Sequence, residues 1–150
     1  MEKWFVLFFF ILGCVSNNQK EFLHRNSCGV EALYLQVNQT KEKINKDILN
    51  SNHNYKRYIL SIFNEKSWQI TFPEEILDEL HKAGLKTTII KGTDDELRRI
   101  YSQLNRCILL IRNKSNIIEY HWQSSPFIQE DLEPFGKNNN EIIMIIWIHK

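Results

Sequence analysis

The stretch "IIMIIWIH", residues 142–149, limits what this chain can fold into more than any other segment. It is long enough for a strand and rich in β-branched residues, but it shows no alternation of apolar and polar side chains. A strand of that kind is covered on both faces, so the sheet containing it needs a layer of structure on each side. Two earlier segments supply strands for such a sheet, 107–112 and 117–122, and the "NKSN" between them has turn chemistry, which predicts a hairpin. A further β-branched run, "LKTTIIK" at 85–91, predicts another strand.

The covering layers come from the first two thirds of the chain. Ser27 is placed to cap a helix beginning at Cys28, with Val30, Leu33, Tyr34 and Val37 on one face. A second short helix is expected over 41–49, followed by an asparagine-rich loop at 50–54. Tyr58, Ile59, Ile62 and Phe63 suggest a third. "TFPE" offers a capping box of Thr71 with Glu74, and Pro73 falls in the first turn, where its missing N–H is harmless. Ile76, Leu77 and Leu80 form the buried stripe of that helix, and Gly84 ends it. "TDDE" at 93–96 is a second capping box, ahead of Leu97, Ile100, Tyr101 and Leu104 at helical spacing. A short helix or turn is expected within 129–135, and "GKNNN" at 136–140 reads as a loop. Helices first and a mainly antiparallel sheet after them make an α+β fold.

The N-terminal segment belongs to a different category. "MEKWFVLFFFILGC" holds nine apolar residues from Trp4 to Leu12. That is about half the roughly 20 residues of a membrane-spanning helix and suits the apolar region of a secretory signal. Its end, Ile11-Leu12-Gly13-Cys14, resembles a bacterial lipobox. The resemblance implies a signal peptide over 1–13, cleavage before Cys14, an acyl chain on Cys14, and a polar tether over 14–26 leading to a domain over 27–150. A lipoprotein so anchored would sit on a membrane of the bacterial cell envelope, with the domain facing water. A plain secretory signal with an incidental cysteine is the alternative. Charge argues against nucleic acid as a partner, since 19 basic and 18 acidic residues leave +1 with no basic block.

"NSCGVEALYL", 26–35, carries the possible chemistry. A thiol at a helix start feels the positive end of the helix dipole and its free N–H groups, which favour thiolate. Cys28 can therefore be a nucleophile, half of a disulfide with Cys107, or a buried free cysteine; the sequence leaves all three open. His121, downstream and on a strand, is the candidate base, with a surface histidine as the alternative. Alternation puts it on a face with Ile117 and Glu119, opposite Ile118, Tyr120 and Trp122. Glu119, Asp131, Asn138, Asn139 and Asn140 are candidates to orient it. No metal or cofactor is expected: the five histidines fall at no ligand-like spacing, and there is neither a Cys-x-x-Cys nor a glycine-rich phosphate loop.

Cys28-Gly29 at a helix start, "EEILDELHKAGLKTTII" at 74–90, then a helix, a hairpin and a final apolar strand resemble the papain-like peptidases that clip double-glycine leaders from bacteriocin precursors. The resemblance runs over about 27–147. It implies a papain-like fold with Cys28 as nucleophile. It also implies an oxyanion-hole Gln six residues earlier, a position that holds Phe22, with Gln19 out of register. The family's His opens the second hairpin strand, about Asn116 or Ile117, while His121 comes later. Its Asp precedes a Pro, and here Ser125 precedes Pro126. The expected protein is an exported, lipid-anchored papain-like domain with a degenerate catalytic set that binds a peptide or an envelope protein. An active cysteine peptidase using Cys28 and His121 is the alternative, and an exported α+β domain unrelated to the peptidases is a third reading.

Overall fold

The computed structural model describes residues 28–63, 70–126, 136 and 138–149. Within them the chain forms α1 (Cys28–Tyr34), α2 (Lys41–Leu49), α3 (Asn54–Ser61), α4 (Pro73–Lys82), β1 (Lys86–Ile90), α5 (Asp94–Tyr101), β2 (Cys107–Asn113), β3 (Asn116–Ser124) and β4 (Asn140–His149). The fold is α+β. The signal peptide, Cys14, the tether, Ser27, Phe22, Gln19, Asp131 and the helix or turn expected at 129–135 lie outside the described residues.

The sheet is antiparallel with the order β1-β4-β2-β3, so the chain's last strand runs through the middle. This explains the unbroken apolar run. Met144, Ile146 and Ile148 enter one core with Val30, Leu33, Ile44 and Leu80 of the helices, while Ile142 and Ile145 enter a second core with Leu97 of α5. A register shift opposite Leu110 and Ile111 brings Ile143 and Met144 to the same side, which resets the alternation. Helices α1, α2 and α4 thus cover one face and α5 covers the other.

The helix ends follow local rules, with one displacement. Thr93 and Glu96 form the expected capping box, each side chain meeting the other's backbone N–H. At α4 the start shifts by one residue and only half of a box forms, because the cap side chain has no acceptor. Phe72 is the cap position, and Glu75, not Glu74, accepts from the Phe72 N–H at 2.9 Å. Thr71 is thereby released for a contact with α1. Gly84 closes α4 at φ 77, where a side chain would be strained.

The helix suggested by Tyr58, Ile59, Ile62 and Phe63 forms as α3, but its apolar residues do not supply its buried side. Ile59, Ile62 and Phe63 are exposed, and the fully buried residue of α3 is Arg57. Its guanidinium forms a two-pronged ion pair with Glu75 and donates to the Ile70 carbonyl at 2.8 and 3.0 Å. Planar guanidinium and carboxylate satisfy each other in this fork geometry, which makes the burial tolerable. Of the residues placed on one face of α1, Val30 and Leu33 are buried, as is Val37 beyond the helix end, while Tyr34 is exposed.

Candidate functional site

Cys28 is the first residue of α1 and is partly buried against the helical core. The helix reaches this position because its second residue is glycine. A Cβ on Gly29 would lie 2.3 Å from both Cβ and Oγ1 of Thr71, closer than atoms can approach. Only hydrogen at that position lets α1 lie against the segment leading into α4.

β3 provides the other wall. It is an edge strand, and the Trp122 N–H is directed to the thiol, donating to Cys28 Sγ at 3.3 Å. The Trp122 side chain is 4% exposed, and its indole N–H donates to the Thr71 carbonyl at 2.8 Å. Cys28, Gly29, Thr71 and Trp122 therefore form one closed contact joining α1, the start of α4 and β3. The Cys28-Gly29 pair and the Trp were visible in the sequence. Thr71 was legible there only as a helix cap.

The electrostatics run against activation. Burial pushes the Cys28 thiol up, and this outweighs the backbone N–H groups of Trp122, Gly29 and Cys28 itself, which pull the other way. The helix-start setting is present, and desolvation overrides it.

His121 lies across the sheet. On β3 it pairs with Ile111, whereas Trp122 pairs with Leu110. Directly paired residues share a face. Leu110 and Trp122 belong to the core that Cys28 touches, and Ile111 belongs to the core under α5. His121 and Cys28 are therefore not brought together as base and nucleophile, because strand alternation turns neighbouring side chains to opposite faces. The His121 ring is within 3.2 Å of Gln123 Oε1 on its own face. Burial pulls its pKa down, against the opposing effect of Gln123.

Of the described candidates to orient His121, Glu119 and Asn140 have other partners. Glu119 accepts from Asn113 Nδ2 at 2.7 Å beside the hairpin turn, and Asn140 accepts from Arg98 at 2.6 Å. Asn138 and Asn139 are exposed. Ser125, at the family's Asp position, accepts from the Cys107 N–H at 2.9 Å through its hydroxyl and ties the end of β3 to β2. Cys107 and Cys28 are both free thiols. Cys107 belongs to the core under α5, so a disulfide between them would have to pass through the sheet.

Among the described residues, no helix is long and apolar enough to cross a membrane. Compared with models of protein families, with curated proteins and with solved structures, this chain matches none.

Proposed function

We propose that this chain is an exported, lipid-anchored domain of papain-like type that binds a peptide or an envelope protein and does not hydrolyse it. The observation that carries this reading is the Cys28 thiol. It accepts a backbone hydrogen bond from Trp122 and is pushed toward its neutral form, with His121 on the other side of the sheet. A cysteine nucleophile needs thiolate and a base within hydrogen-bond reach, about 2.6–3.2 Å. Cys28 instead acts as a joint that holds α1 to β3.

Binding has a natural place at the opposite edge of the sheet. Among the described residues β1 pairs with β4 alone, and its side chains are exposed or half-buried. An extended peptide could add there through main-chain hydrogen bonds, as strands do at open sheet edges. Export and anchoring rest on the apolar run and Gly13-Cys14.

Two measurements test the reading. Mass spectrometry of the native protein is expected to find the chain beginning at an acylated Cys14; an intact Met1 would remove the anchor. The purified protein is expected to leave a panel of peptides uncut. Cleavage abolished by both Cys28→Ala and His121→Ala would replace this reading with the active peptidase.

A further inference from the structure

α3 is held to the domain by a charge and turns its apolar residues outward. Arg57 is buried in the ion pair with Glu75. Tyr55 and Ile59 lie two residues before and two after it, so at about 3.6 residues per turn they fall on the far side of the helix. Ile62 comes three residues after Ile59 in helical backbone, φ −62 and ψ −32, and continues that face. Tyr55 and Ile59 are more than half exposed, Ile62 is 70% exposed and Phe63 84%. A contiguous apolar face turned to water marks an interaction surface. We propose that this outward face of α3 docks on a lipid bilayer.

The proposal rests on the lipid anchoring proposed above, and the geometry links the two. The described chain starts at Cys28, where the tether side joins. The next residue, Gly29, lies against Thr71 so closely that a Cβ would be 2.3 Å from the Thr71 side chain. Thr71 follows Ile70, whose carbonyl accepts from Arg57 of α3 at 2.8 and 3.0 Å. Two consecutive residues therefore hold both the start of α1 and the helix that bears the patch. A tether over 14–26 has 13 residues. It spans at most about 45 Å when fully extended. An acyl chain on Cys14 would hold the domain within that distance of the bilayer, from the side on which α3 lies.

Attachment lowers the affinity that docking needs. A tethered face meets the bilayer in an intramolecular step at high effective concentration, so a few apolar side chains are enough. A second copy of the chain needs more. A stable dimer covers about 800 Å² on each partner. Even an aromatic side chain buries only about 150–250 Å² in full, so four side chains that are already partly covered offer less than that. Tyr55 suits the membrane boundary, because its ring is apolar and its hydroxyl can stay among the headgroups.

The test reconstitutes the full-length anchored chain in phosphatidylcholine vesicles. A fluorescent probe is attached at Ile62→Cys or, across the sheet on α5, at Asp95→Cys, both exposed positions. The chain without an added cysteine, labelled alongside, gives the background from Cys28 and Cys107. Flotation of the vesicles reads attachment, and quenching by nitroxide-bearing lipid reads contact. The chain is expected to float, with the probe at 62 quenched about twofold or more above the probe at 95. Ile59→Ser/Phe63→Ser should remove most of that difference while the chain still floats. Circular dichroism checks folding, and if this variant unfolds, the comparison of 62 with 95 decides the matter. A chain that does not float would remove the anchoring and this proposal with it. A chain that floats with equal quenching at both positions, or with a difference that survives Ile59→Ser/Phe63→Ser, would overturn the docking and leave the anchoring in place. Energy transfer between probes at 62 on different chains, in place of quenching by lipid, would assign the face to a second copy and overturn the proposal as well.

Discussion

The Trp122 N–H donates to Cys28 Sγ at 3.3 Å, so the thiol at the head of α1 is tied to the main chain of an edge strand 94 residues away. Such a thiol is both sheltered and occupied. Cys28 is expected to react with iodoacetamide at pH 7.5 more slowly than a free cysteine does, and to reach the free rate only in denaturant. Residue-resolved mass spectrometry over time reads this directly. Rapid alkylation of the folded protein at Cys28 would mean that the thiolate forms readily, contrary to its burial.

Gly29→Ala tests the close approach of α1 to Thr71. The added methyl meets Thr71 at 2.3 Å and must push two elements apart. Overpacking of this kind costs about 1–3 kcal/mol or more. Urea unfolding should show the loss as a lower midpoint at unchanged slope. A Thr71→Gly background should restore part of it, since the clash is with the Thr71 side chain.

The Arg57–Glu75 pair is fully buried, and removing one partner strands the other charge. Arg57→Met alone is expected to cost about 3–5 kcal/mol. The double variant Arg57→Met/Glu75→Leu should recover a substantial part of that loss. Equal loss in the single and double variants would show that the bonds to the Ile70 carbonyl and the Phe72 N–H matter more than the pair.

His121 gives stability a pH dependence whose sign follows from its lowered pKa. The unfolded chain takes up the proton first, near the ordinary value of about 6.5, and protonation favours the unfolded state there. Stability should be full above about pH 6.5 and fall as pH drops through the window between the unfolded and the lower folded pKa. His121→Gln should flatten that part of the profile, measured as the urea midpoint from pH 7.5 down to 5.

Cys107 acts at the other end of the scale. Burial pushes its thiol from 9.0 up to about 12. Above pH 9 the unfolded chain releases this proton while the folded chain keeps it, so stability falls as pH rises toward 12. Cys107→Ala should lessen the slope of that alkaline loss in thermal melts.

The sequence by itself determined the elements whose cause is local. An apolar run without alternation needs cover on both sides, and the stretch from Ile142 to Ile146 lies between two cores. Thr93 with Glu96, Pro73 and the turn between β2 and β3 are short-range devices, and each marks an element boundary. Tertiary structure alone decided which side chains meet. The apolar residues around α3 pointed to a helix, yet the residue it buries is Arg57, because Glu75, 18 residues on, offers it a matching fork. Alternation along β3 separated His121 from Trp122 already in the sequence. Which of the two faces looks at Cys28 depended on where α1 docks, and the missing side chain of Gly29 against Thr71 sets that docking. Periodicity reports which residues share a face. It does not report what the face will touch, because that is set by contacts between segments far apart in the chain.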